Sequence, residues 1–78
     1  MEKVKIYTTP NCPYCKMAKA YFQKNNVQYE EFDVSVDKKA LEEMVSKSHQ
    51  MGVPVIDINN EIIVGFNRSA IDAALHLK

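Results

Sequence analysis

Near residue 12 the chain switches hydrophobic period, and that switch restricts the possible folds more than any other feature of the sequence. Val4 to Thr8 (Val-Lys-Ile-Tyr-Thr) alternates apolar and polar side chains among β-formers, the period of a half-buried strand. Thr9-Pro10-Asn11 breaks it. From Pro13 to about Asn25 the period becomes helical: Met17 with Tyr21 and Ala18 with Phe22 are spaced i, i+4, while Lys16, Lys19, Gln23 and Lys24 face away. Pro13 suits the first helical position, where a missing N–H costs nothing. Gln28 to Val34 then reads as a second strand. A β-α-β opening of this kind makes a parallel pair with a right-handed crossover, so the sheet must carry a helix on its face.

The rest of the chain extends that unit. Glu30 and Glu31 interrupt the second strand, and charges guard an exposed edge, so it belongs at the side of the sheet. Ser35 or Asp37 can cap a second helix over about Lys38 to Ser48, with Leu41, Met44 and Val45 as its buried stripe. Gly52 closes that region. Val53 to Ile58 is nearly continuous apolar, as a central strand is, with proline tolerated only at its start. Asn59-Asn60 turns tightly into Glu61 to Val64, the hairpin partner, and Gly65 stops it. Asn67 caps a last helix, Arg68 to about Leu77, with Ile71, Ala74 and Leu75 inward. The order β-α-β-α-β-β-α predicts an α/β domain over residues 1–78: a mixed four-stranded sheet with three helices, the thioredoxin-like arrangement.

Composition narrows the function classes. The chain is 46% hydrophobic and 26% charged with two Gly and three Pro, which excludes a disordered or low-complexity chain. Ten Lys and Arg balance ten Asp and Glu, so there is no basic footprint for nucleic acid and no polybasic membrane anchor. Met1 to Lys5 lacks the apolar stretch of a signal peptide, and no run approaches the ~20 apolar residues that span a bilayer. A cytoplasmic monomer is expected.

Two cysteines are too few for a disulfide-stapled scaffold. They stand together as Cys12-Pro13-Tyr14-Cys15, at the strand-to-helix junction. The N–H groups of a helix N-terminus lack partners and favour an anion, so Tyr14 and Cys15 can offer theirs to the Cys12 sulfur while Lys16 and Lys19 add positive potential. A thiol of pKa about 8.5 is only ~3% thiolate at pH 7, against over ~90% once lowered to about 5–6. Since only the thiolate attacks disulfides, Cys12 is the expected nucleophile and Cys15, one turn inside, the resolving thiol. A zinc half-site would need two more ligands, and His49 and His76 lie on different predicted helices. A structural disulfide would close too small a loop to contribute much. The position of the motif favours a redox dithiol, with no metal expected.

Cys-Pro-Tyr-Cys, a following helix rich in Lys and Ala, Val53-Pro54 opening a strand and a Gly65-led turn before the last helix together resemble glutaredoxin, over essentially the whole chain. The resemblance implies a thiol–disulfide oxidoreductase that reduces protein disulfides and glutathione mixed disulfides, with glutathione as reductant. It implies that Cys12 is the glutathionylated cysteine, that Val53 offers its backbone to glutathione, that Pro54 is a cis-proline facing the dithiol, and that Gln50 contacts the glycine carboxylate. Tyr14 would border the groove, and Gly65, Phe66, Asn67 and Arg68 would occupy the γ-glutamyl end.

Two positions differ from the family pattern. Thr9 stands where a cation is common three residues before the first cysteine, and Arg68 stands where an acidic residue is common. Gly65-Phe66 followed closely by Arg is more similar to redoxins that serve ribonucleotide reductase and draw electrons from thioredoxin reductase, which makes that reductase a possible partner. An iron–sulfur module held through Cys12 and glutathione is the non-enzymatic rival. Elsewhere Tyr7, Tyr21, Tyr29, Phe22 and Phe32 read as packing residues, Met17 and Met44 as core filler, His49 and His76 as helix C-terminal cations, and Glu30, Glu31 and Asp33 as a solvated edge.

Overall fold

The computed structural model describes residues 4–50 and 52–75. Its elements run β1 (Val4–Thr8), α1 (Pro13–Lys24), β2 (Glu30–Asp33), α2 (Lys38–Ser48), β3 (Val55–Ile58), β4 (Glu61–Val64) and α3 (Arg68–Leu75). The sheet order is β2-β1-β3-β4. β1 and β2 are parallel, with Tyr7 beside Phe32, while β3 is antiparallel to both β1 and β4. This is the expected mixed four-stranded sheet, with the charged β2 at one edge and the apolar β1 and β3 in the centre.

Alternation along the strands sends side chains to two faces. Val4, Ile6, Ile56, Ile58 and Ile63 meet Ala18 and Phe22 of α1 and Ile71 and Leu75 of α3 in one core. On the other face Tyr7 and Val55 meet Ala40 and Met44 of α2. Each fully buried Leu, Ile or Phe contributes about 1.5–3 kcal/mol over an exposed one. Asp37 caps α2, accepting from the Ala40 N–H at 3.1 Å, and Asn67 caps α3, accepting from the Ala70 N–H at 3.1 Å. Gly65 adopts φ +80°, a left-handed conformation that favours glycine.

Four expectations need correction. Met17 is 49% exposed: the buried stripe of α1 is Cys15, Ala18 and Phe22, and Met17, one position before Ala18, is turned about 100° off it. Helix α2 is closed by His49 in the left-handed conformation at φ 61°, its N–H donating to the Val45 carbonyl, three residues before Gly52. Strands β2 and β3 are shorter than the apolar runs suggested, beginning at Glu30 and Val55. His76 and Leu77 lie outside the described residues.

One buried acid in β3 has a partner ten residues earlier. Asp57 accepts from Lys47 Nζ at 2.6 Å, and Lys47 also donates to the Tyr7 hydroxyl at 3.2 Å. Tyr7 in turn donates to Glu43. Burial, reinforced by the bond to Glu43, pushes the Tyr7 phenol up to about 12. Burial opposes the Lys47 charge, but the bonds to Asp57 and Tyr7 outweigh it and raise the ammonium above its usual range. The network fastens the last turns of α2 to the sheet.

Candidate active site

Cys12 occupies the N-cap of α1 in an extended conformation, φ −116° and ψ 103°. Its sulfur accepts the Cys15 N–H at 3.1 Å, so it is the Cys15 amide, of the two expected, that reaches it. Pro13 fills the first helical position as predicted. Cys12 and Cys15 are joined as a disulfide, with Cα atoms 5.2 Å apart. Cys12 is 7% exposed and Cys15 0%. Both cysteines are buried, Cys15 completely and Cys12 nearly so, while the Tyr14 ring between them in sequence is 61% exposed.

The Val53–Pro54 peptide is cis. Pro54 is buried, and its carbonyl accepts the Gly65 N–H at 2.8 Å. That bond ties the start of β3 to the end of β4, so Val53, Pro54, Gly65 and Phe66 come together. Since β3 runs antiparallel to β1, its first residues lie at the end of the sheet where β1 delivers Cys12. Gln50 enters this segment from α2: Ser48 Oγ lies 2.7 Å from the Met44 carbonyl and 3.1 Å from that of Gln50. The Gln50 amide folds over Gly52, its Nε2 3.5 Å from where a β-carbon there would stand.

Phe66 packs edge-on against Tyr21, with centroids 6.0 Å apart, and the Arg68 guanidinium lies 5.1 Å over the same ring. Tyr21 donates to Asp72, and that bond raises its phenol pKa. Tyr21 is thus more than packing, because it sets where Arg68 rests. On the α1 side, Thr8 donates to Glu31 Oε2 at 2.9 Å and Lys19 to the same oxygen at 2.8 Å. The Lys19 bond, helped by Thr8 and opposed by burial, holds the Glu31 carboxyl below the usual range. Among the described residues no three His, Cys, Asp or Glu side chains gather as a metal site.

The glutaredoxin family model matches residues 4–63, most of the chain and all of the dithiol segment. The chain belongs to the glutaredoxin family. A glutaredoxin-like 8.6 kDa protein of the rubredoxin operon of Clostridium pasteurianum is 51% identical over 69 residues, covering 88% of this chain and 92% of that protein. Glutaredoxin 3 of Escherichia coli K12 is 37% identical over 65 residues, covering 83% of this chain and 78% of that protein. Among solved structures, a mutant of a thioredoxin-like protein superposes with TM-score 0.92 and 32% identity over 100% of both chains. A glutaredoxin-family chain with a Cys12/Cys15 pair on a thioredoxin-like fold is a redox protein, and no described helix is long and apolar enough to cross a membrane.

Proposed function

We propose that the chain is a dithiol oxidoreductase of the cytoplasm that reduces protein disulfides and glutathione mixed disulfides. In the reduced state the Cys12 thiolate attacks a substrate sulfur; the substrate S–S bond breaks, and the departing thiolate takes a proton. Cys15 then gives up its proton and attacks the Cys12 sulfur of the mixed disulfide. The second substrate thiol leaves, and two electrons have passed from the Cys12/Cys15 pair to the substrate. With a glutathione mixed disulfide the first step leaves glutathione on Cys12, and a second glutathione removes it as glutathione disulfide. The observation that carries this reading is the Cys12 sulfur at the N-cap of α1, taking an N–H at 3.1 Å over a fully buried Cys15. Both features favour the Cys12 thiolate as attacking group.

Glutathione is the proposed reductant, with Gln50, Val53 and Pro54 along its peptide and Gly65, Phe66, Asn67 and Arg68 at its γ-glutamyl end. A second reading has the chain donate electrons to one reductase enzyme and draw them from thioredoxin reductase. It is favoured by Thr9 in place of a cation and by Arg68, stacked on Tyr21, in place of an acid. An NADPH-coupled assay separates the two. Turnover with glutathione plus glutathione reductase supports the first, and turnover with thioredoxin reductase alone supports the second.

A further inference from the structure

Helix α3 begins with a cation and carries an acid one turn later. Arg68 and Asp72 stand at i, i+4, the spacing at which opposite charges on a helix pair. Here they stay apart: among the described residues no ion pair joins them. Each is held instead by the same side chain of another helix. Tyr21 of α1 donates its hydroxyl to Asp72, and the Arg68 guanidinium rests over the Tyr21 ring at 5.1 Å from its centroid.

The ring is itself fixed. Tyr21 is half-buried, packs on the same core cluster as Phe66, and meets the Phe66 ring edge-on at 70° with centroids 6.0 Å apart. Phe66 follows Gly65, whose N–H donates to the Pro54 carbonyl at 2.8 Å. Contacts therefore run without a gap from cis-Pro54 through Gly65 and Phe66 to Tyr21 and Arg68.

Tyr21 alters where the two charges point and leaves their sum alone, since Asp72 stays an anion when it accepts from a phenol. A guanidinium paired with a carboxylate spends its N–H donors on that partner. One lying over an aromatic face keeps the donors along its edge open to a planar, bidentate acceptor. Arg68 is exposed and opens the first turn of α3, where the helix dipole also favours an anion.

We infer that Tyr21 is a positioning residue for the reductant: with its hydroxyl on Asp72 and its ring under Arg68, it separates the pair and presents the guanidinium to the α-carboxylate of a γ-glutamyl group. The inference rests on the glutathione reading above and adds to it the part of glutathione that the site selects on. The carboxylate is recognised, and the α-ammonium group contributes little.

The test uses the full chain carrying Cys15→Ser, which keeps a thiol on Cys12 as a mixed disulfide. Mass spectrometry reads the equilibrium in which one thiol displaces another from Cys12; one S–S bond breaks as another forms, and no net electrons are needed. The competitors of glutathione are 4-aminobutyryl-cysteinyl-glycine, which lacks the α-carboxylate, and glutaryl-cysteinyl-glycine, which lacks the α-ammonium group. Glutathione is expected to be preferred about tenfold over the first and at most about twofold over the second. Tyr21→Leu removes ring and hydroxyl and should bring the first ratio down to about twofold or less. Tyr21→Phe keeps the ring but releases Asp72 to Arg68, and should lower that ratio about threefold. Adding Asp72→Ala to Tyr21→Phe should restore it, a recovery that a merely structural defect would not give. A ratio that both Tyr21 variants leave intact, no recovery in the double variant, or a preference that follows the ammonium group would overturn the positioning role. A Cys12 that takes up no glutathione, or takes it without preference over either analogue, would overturn the glutathione reading and this inference with it.

Discussion

At residue 12 the proposed role of the thiol is that of attacking group, and on that proposal Cys12→Ser should abolish activity on every substrate. Cys15→Ser should keep the reduction of glutathione mixed disulfides, which needs one thiol and free glutathione, and lose most reduction of protein disulfides, which needs the internal attack. Equal loss of both activities in Cys15→Ser would contradict the division of labour. The buried network gives a prediction in the alkaline range. Tyr7 has its pKa raised from 10.0 to about 12, and Lys47 is shifted upward as well. In both cases the unfolded chain loses its proton first, so their contribution to stability is complete below about pH 10; the Tyr7 share is lost as pH climbs through about 12, and the Lys47 share only at still higher pH. Urea unfolding should show stability falling over that interval by a few kcal/mol at most, and Tyr7→Phe should fall less steeply. Lys47→Met should be destabilising at neutral pH, by about 2 kcal/mol, because it leaves the buried Asp57 carboxylate short of its cation. A melting curve unchanged by Lys47→Met would show that Asp57 finds another partner.

Among the elements, α2 offers the sharpest test because its two ends are closed in different ways. Asp37→Ala removes the cap on Ala40 and should cost about 1 kcal/mol. His49→Gly places the residue best suited to a left-handed C-cap at φ 61° and should stabilise by about 0.5 kcal/mol, a rise of a few degrees in Tm. A fall in Tm for His49→Gly would mean that the imidazole makes a contact worth more than the backbone strain. The same helix shows what the sequence could and could not disclose. Period and breakers were enough to read all seven elements and their order, because each strand or helix is a local pattern, and the Cys12 N-cap followed from its position at a period switch. The end of α2 at Ser48, with His49 at its C-terminus, was legible, but the left-handed backbone of His49 was hidden, since that conformation is expected at Gly and Gly52 stood nearby. Met17 was misplaced by one helical position. The Lys47–Asp57 bond joins two elements that meet only after α2 folds across the sheet, although a lone Asp in Val55-Ile56-Asp57-Ile58 signals that a cation must be found for it. Likewise Tyr21 looked like packing because nothing local ties it to Arg68.

Over the whole molecule, the proposed choice of reductant rests on Thr9 and Arg68, residues from opposite ends of the chain. Thr9→Lys should lower the KM for glutathione by supplying a carboxylate partner. Arg68→Asp should restore an acceptor for the α-ammonium group while removing a cation, and freeing Tyr21 from the guanidinium should leave the dithiol chemistry with a small disulfide intact. A KM for glutathione that Thr9→Lys leaves untouched would argue against a carboxylate site at that position. The sheet order has a further consequence during synthesis. β1 is made first yet lies in the interior, with β2 on one side and β3 on the other, so one of its hydrogen-bonding edges stays open until residues 55–58 have left the ribosome. At about 5–20 residues per second that wait lasts on the order of a second or more after β2 emerges. Through that interval Val4 and Ile6 lack the Ile56 and Ile58 neighbours that cover them in the finished fold, and the nascent chain is at its most vulnerable to pairing with the wrong strand.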